Sequence, residues 1–177
     1  TGKCGMYDLA QSLSITTGAS QAAGASTLRV SDGSKVSPGM VVLIGTEQEY
    51  IESTSTPIGA VTTLSAAITD SEAQTISLTD GSLVNVGEIV RCGVEQMKIT
   101  DVNGNTAAVV RGWNRTVKST HLINANVDVY RIFNVTRGVN GTTDAAHNSG
   151  VNVYKQTVPD DVNMLCRKMA GRMLKDA

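Results

Sequence analysis

The chain has 177 residues and a mass of 18.5 kDa, with 15 Lys and Arg against 16 Asp and Glu, a net charge of -1 and an isoelectric point near 6.1. That length suits one ordinary domain or two small ones, without disulfide or metal staples. The near-neutral balance leaves no broad basic field for avid, sequence-independent nucleic-acid binding, and no apolar run approaches the roughly 18 residues of a membrane span.

The first residues, TGKCGMYDLA, lack the apolar centre of a signal peptide, so the expectation is a soluble chain made in a cytosol. Residues 1–25, rich in Ser, Thr, Ala and Gly, read as an arm with a short helix over residues 7–13, where Tyr7, Leu9, Ala10 and Leu13 are apolar. Cys4, Cys92 and Cys166 are too widely spaced for a CxxC zinc site and odd in number for a disulfide framework, which predicts reduced thiols.

Val, Thr, Ile, Asn, Ser and Gly dominate up to about residue 155, which favours β structure. TLRVSDGSKVSPGMVVLIGTEQEYI (residues 27–51) aligns without a gap on TISLTDGSLVNVGEIVRCGVEQMKI (residues 75–99) at an offset of 48. Each copy predicts a strand, an Asp-Gly turn, a short segment ending at Gly, and two strands around a Gly turn. Cys92 falls opposite Ile44 and takes an apolar strand position. Residues 52–74 read as a degenerate counterpart or as a loop with one strand. Asn103-Gly104 between alternating segments signals a two-residue hairpin.

A second repeat follows at an offset of 26: VVRGWNRTVKSTH (residues 109–121) against VTRGVNGTTDAAH (residues 135–147). The expected division is a first β module over residues 26–74, partly degenerate, and a second over 75–156 with the duplicated RGxNxT…H loop. Within it residues 75–131 read as one complete unit, of which the first copy keeps only the front half and residues 132–155 only the back half, and these two half-units carry open strand edges that neighbouring copies would cover. The C-terminal segment 157–177 predicts a helix, because Val162, Leu165, Cys166, Met169, Ala170, Met173 and Leu174 form one stripe. Thr157 and Asp160 resemble a capping box, while Arg167, Lys168, Arg172 and Lys175 load the end where the dipole favours cations. The stripe either covers an open face of the β domain or docks on other subunits. The fold class is therefore mainly β: tandem small β-meander or β-barrel-like modules with a C-terminal amphipathic α-helix.

Little in the sequence points to chemistry. His121 and His147 sit in two copies of one loop, and Glu47 and Glu95 are one position in two copies, so these residues read as architecture rather than as catalytic, metal or cofactor groups. No GxxxxGK[ST] or strand-linked GxGxxG occurs. Arg111, Asn114 and His121, and their twins Arg137, Asn140 and His147, are assigned to loop structure, with Arg111 placed to pair with Glu95 across the sheet and His147 to offer its ring to a carbonyl or carboxylate. Trp113 against Val139 and Arg115 against Gly141 are the differences between the copies where a partner's contact is expected. Partner contacts are also expected of the helix, at Val162, Leu165, Met169, Met173, Arg167, Lys168, Arg172 and Lys175.

The string V-x-x-G-x-x-x-x-x-G-x-E-Q … V-x-R-G-x-N-x-T-x-x-x-x-H … V-Y, followed by a Pro-Asp-Asp helix, resembles structural proteins of tailed bacteriophages, in particular head-to-tail connector (adaptor) proteins of the neck. Here it is carried by Val84, Gly87, Gly93, Glu95, Gln96, Val109, Arg111, Gly112, Asn114, Thr116 and His121, and again by Val135, Arg137, Gly138, Asn140, Thr142 and His147. The resemblance implies a non-enzymatic virion component, made in the host cytoplasm, that forms a homo-oligomeric ring below the portal. Helices would contact the portal protein and β loops the next neck or tail protein; no membrane is involved and DNA is only cargo in a lumen. Adaptors of this type usually carry a larger N-terminal helical part, whereas this chain offers only residues 7–13. A capsid decoration (cement) protein or a tail structural protein is the neighbouring alternative. A carbohydrate-binding β module is more remote, since aromatics are only 3% of the chain.

Overall fold

Strict alternation of buried and open positions, as in Val41–Ile44 and Ile89–Cys92, puts one side chain in two into a core and makes these segments strands. The computed structural model describes residues 10–157, 164, 167–169 and 172. Its strands are β1 (Ala10–Thr16), β2 (Thr27–Arg29), β3 (Val41–Ile44), β4 (Glu47–Thr54), β5 (Ile58–Thr63), β6 (Thr75–Ser77), β7 (Ile89–Cys92), β8 (Glu95–Asn103), β9 (Thr106–Val110), β10 (Asn126–Val129), β11 (Ile132–Thr136) and β12 (Asn152–Gln156).

They form two six-stranded antiparallel sheets, ordered β1-β12-β3-β4-β11-β2 and β5-β10-β7-β8-β9-β6. The two orders are the same pattern written twice, with β1 to β4 matching β5 to β8, β11 matching β9 and β12 matching β10. Each sheet closes on itself. Thr17 bridges Val30 between the outer strands of the first, flanked by Gly18 N donating to Arg29 O and Ser31 N to Thr16 O. Leu64 bridges Leu78 in the second, flanked by Ser65 N to Ser77 O and Thr79 N to Thr63 O. Closure removes the edges that a sheet this small would otherwise expose. Leu28, Val30, Val42, Ile44, Ile51 and Phe133 fill one barrel, and Leu64, Leu78, Val90, Met97, Ile99 and Val129 the other.

The barrels are nested rather than consecutive. Strands β5 to β10 make a complete inner barrel that interrupts the outer one between β4 and β11, where the inner barrel itself has only the two-residue Gly104-Asn105 turn, one residue beyond the expected Asn103-Gly104. The expected division at residue 75 is corrected accordingly: β5, at residues 58–63, belongs with the second copy, and β11 and β12 return to the first. The front half and the back half read from the sequence are two parts of one barrel, so the expected open edges are paired. Only a pairing across about a hundred residues completes it, and sequence spacing carries no trace of that pairing.

The arm is corrected in the same way. Residues 10–13 are strand, not helix, because β1 pairs with β12 from Ala10↔Gln156 to Thr16↔Asn152. Gln21 exchanges backbone hydrogen bonds with His147. Tyr7 and Leu9 lie outside the described residues, as do Cys4 and Cys166. At the C-terminus Met164, Arg167, Lys168, Met169 and Arg172 are helical and exposed; Val162, Leu165, Met173 and Lys175 lie outside the described residues.

The junction shows how one barrel was fitted into the other. A Cβ at Gly81 would overlap the Gly104 carbonyl oxygen, and one at Gly33 would overlap that of Tyr130, so the same close approach is made by a hairpin in one barrel and by a linker in the other. The Gly81 N–H is satisfied by Asn105 Oδ1 at 3.0 Å, and the Gly33 N–H by Glu88 Oε1 at 2.9 Å. Arg131, which stands where the inner barrel has Asn105, holds Glu88 by two hydrogen bonds of 2.6 and 2.7 Å.

Candidate functional site

Each barrel buries one Glu at the start of a strand, one Arg at the end of another and one His from the loop that follows. In the inner barrel Arg111 Nε and Nη2 donate to Glu95 Oε1 and Oε2 at 2.7 and 2.8 Å, Gly112 N and Ser119 N donate at 3.1 Å each, and His121 Nε2 lies 2.8 Å from Oε2. In the outer barrel Arg137 reaches Glu47 at 2.7 and 2.6 Å, Gly138 N and Ala145 N donate at 3.1 and 3.0 Å, and His147 Nε2 lies 2.8 Å from Oε2. A carboxylate only accepts, so the histidine Nε2 carries the proton in both.

The cluster ties residues 111–121 or 137–147 to the neighbouring strand turn. Asn114 Nδ2 donates to Gln96 Oε1 and Asn140 Nδ2 to Gln48 Oε1, each at 2.8 Å. Gln96 N donates to Thr116 Oγ1 at 2.9 Å and Gln48 N to Thr142 Oγ1 at 3.0 Å. The Arg111–Glu95 pair is buried, not the exposed bridge of small worth that a loop position suggests. Burial pushes both carboxyls up, but the guanidinium, the imidazole and two backbone N–H groups outweigh it and hold Glu47 and Glu95 at about 2.

The twins differ beside the clamp. Where the inner barrel buries Met97 and Ile68, the outer barrel buries Glu49 and Gln21, with Gln21 Nε2 donating to Glu49 Oε2 at 3.1 Å. Glu49 Oε1 lies 3.2 Å from Arg137 Nε yet accepts no hydrogen bond, because the single Nε proton is directed at Glu47. Burial raises the Glu49 carboxyl above its ordinary value, against the pull of Gln21 and Arg137. Sequence reading missed this residue, although a Glu at a Met position of an aligned repeat was the available signal.

Glu47, Glu49 and His147 bring potential ligand atoms within 4.8 Å of one another. The set does not fit a cation. Glu47 already accepts five hydrogen bonds, the His147 nitrogen nearest the group carries a proton, a guanidinium stands between the two carboxylates, and the same Glu–His–Arg arrangement recurs beside Met97. Nor does Cys92 suit nucleophilic work, since burial and then the Glu95 and Asp128 charges push its thiol up to about 11.

Compared with known proteins, the chain matches no family model, no curated protein and no solved structure.

The loops held by the clamps diverge in chemistry. Exposed Thr46, Thr143, Asn148 and Ser149 of the outer barrel correspond to exposed Val94, Val117, Leu122 and Ile123 of the inner one. Arg115 adopts φ 65° where its twin Gly141 has φ 80°, a left-handed backbone that costs a side chain on the order of 1 kcal/mol. Trp113, taken from the sequence as a candidate contact, is half-buried in a cleft between the barrels of about 220 Å³, with Lys98 Nζ 4.7 Å from its ring centre. Tyr130 and Phe133 line the same cleft, so half of the chain's aromatic residues meet there.

Proposed function

We propose that the chain is a non-enzymatic structural component of a tailed-phage virion, a connector that joins portal to neck or tail as a homo-oligomeric ring. The observation that carries this reading is the exposure of Met169, the one described member of the C-terminal apolar stripe, at 58%, while each barrel fills its core with its own strands. An apolar stripe residue left open beside two self-filled barrels is suited to docking on another subunit. The aliphatic loop end at Val94, Val117, Leu122 and Ile123 supplies a second, separate contact for a neck or tail protein. The buried clamps support the reading by their saturation, since every polar atom of Glu95 is engaged in holding loops.

Light scattering of the purified chain, alone and with a purified portal ring, tests it. A mass of several chains and co-migration with portal rings are expected. A chain that stays monomeric and ignores portals overturns the connector reading, and if it binds capsid shells instead it is a decoration protein.

A further inference from the structure

The contact between the two barrels joins unlike faces. The outer barrel presents its Asp32-Gly33-Ser34 turn, and the inner barrel presents Gly87, Glu88 and the adjacent strand position Lys98. A Cβ at Gly87 would lie 3.1 Å from Ser34 Cβ, so the faces are in close contact. Because each barrel is a copy of the other, each owns both faces, and the chain uses only one of each.

The side chains of the unused faces are open and have their own chemistry, the Leu83 carbonyl alone being engaged at the junction, by Arg131 Nη2 at 2.9 Å. Gly39, the twin of Gly87 with φ 90° against 91°, has nothing within 4 Å of where a Cβ would stand. Beside it lie Met40 in place of Glu88 and Tyr50, 40% exposed, in place of Lys98. On the inner barrel the free turn is Asp80-Gly81-Ser82, with Leu83 at 42% and Val86 at 51% exposure in place of Lys35 and Pro38. Both free faces are thus more apolar than the pair already in contact. This is the expected direction, because linkers hold the internal contact at high effective concentration, whereas a contact between molecules needs apolar burial of its own.

We propose that copies of the chain associate head to tail, with the Gly39, Met40 and Tyr50 face of one outer barrel seated on the Ser82, Leu83 and Val86 face of the next inner barrel, repeating the contact made within the chain. A contact between unlike faces generates a ring when its rotation closes and a filament when it does not. The proposal deepens the ring reading above by naming its faces, and its test needs no portal.

Two substitutions borrow the twin's residue and so leave the fold intact: Tyr50→Lys, as at Lys98, and Leu83→Lys, as at Lys35. Sedimentation is expected to give a mass that rises with concentration beyond two chains for the unsubstituted protein, and single chains for each variant alone. An equimolar mixture of the variants retains one intact pair of faces and is expected to form dimers and nothing larger. Val86→Ser serves in place of Leu83→Lys if circular dichroism shows that the latter is unfolded. An unsubstituted chain that is monomeric at every concentration, or variants that associate as it does, or a mixture without dimers, overturns the proposal. Self-association through these faces with indifference to portal rings would keep it while sinking the connector reading.

Discussion

Glu49 and Met97 occupy one buried position in two barrels of the same pattern, and only the glutamate leaves an oxygen without a hydrogen bond. The inner barrel therefore shows what the outer one would be without this carboxyl and its Gln21 partner.

Replacing Gln21→Ile and Glu49→Met together is expected to stabilise the outer barrel at pH 7 by about 1–3 kcal/mol, the usual cost of buried polar atoms left unpaired. The folded-state pKa of Glu49 is raised, so its favourable contribution is present below the unfolded value of about 4.3 and is lost as pH rises. The gain from substitution should accordingly shrink as pH falls from 7 towards about 4.3 and be smallest from there down. Urea titrations at pH 7 and pH 4 check this, and a gain that is equal at both would contradict the assignment.

The clamps carry the opposite sign. Glu47 and Glu95 are lowered to about 2, so their contribution is complete above about 4.3 and is lost as pH falls from there towards 2. Acid unfolding followed by circular dichroism should begin in that window. Arg111→Met leaves Glu95 buried without its cation and is expected to cost about 3–5 kcal/mol at pH 7, with Arg111→Met combined with Glu95→Gln recovering part of the loss.

Nesting makes a further expectation. Residues 57–130 contain all six strands of the inner barrel and its whole core, so this fragment should fold alone with a cooperative thermal transition. Residues 26–74, the first module expected from the linear repeat, lack β1, β11 and β12 and should not. Amide exchange on the two fragments separates the outcomes.

The repeats at offsets of 48 and 26 were legible, because turn-forming Gly, Asp-Gly and Asn-Gly recur at fixed spacing and strand positions alternate, whereas the equivalence of β1 and β5 was not. From them follow the mainly β class, the loop pairs Arg111 with Arg137 and His121 with His147, and the place of Cys92. What stayed hidden was non-local. Alternation at Leu13 and Ile15 is too short to distinguish a strand from a helical turn until β12 is beside it. The burial that turns Arg111–Glu95 from a surface pair into a clamp depends on Asp70 and Ala73 carbonyls arriving from another segment. Glu88 gave no signal, since its partners Gly33 and Arg131 lie 55 and 43 residues away.

That Glu88 is the junction's centre leads to the last prediction. Its oxygens accept from Gly33 N across the junction, from Asn85 N within the inner barrel and from both ends of the Arg131 fork, whose Nη2 also donates to the Leu83 carbonyl. Removing it with Glu88→Ala leaves the Gly33 and Asn85 N–H groups without their acceptor and the Arg131 fork with only the Leu83 carbonyl, yet touches neither core, so both barrels should remain folded while their contact loosens. Trp113, the chain's one tryptophan, lines the cleft at that contact and reports on it. Its emission is expected to move to longer wavelength in Glu88→Ala with little change in far-ultraviolet circular dichroism, and not to move in Glu72→Ala, which removes an exposed partner of Lys118. An emission maximum unaltered by Glu88→Ala would mean that the linkers alone, without this clamp, set the fit of one barrel on the other.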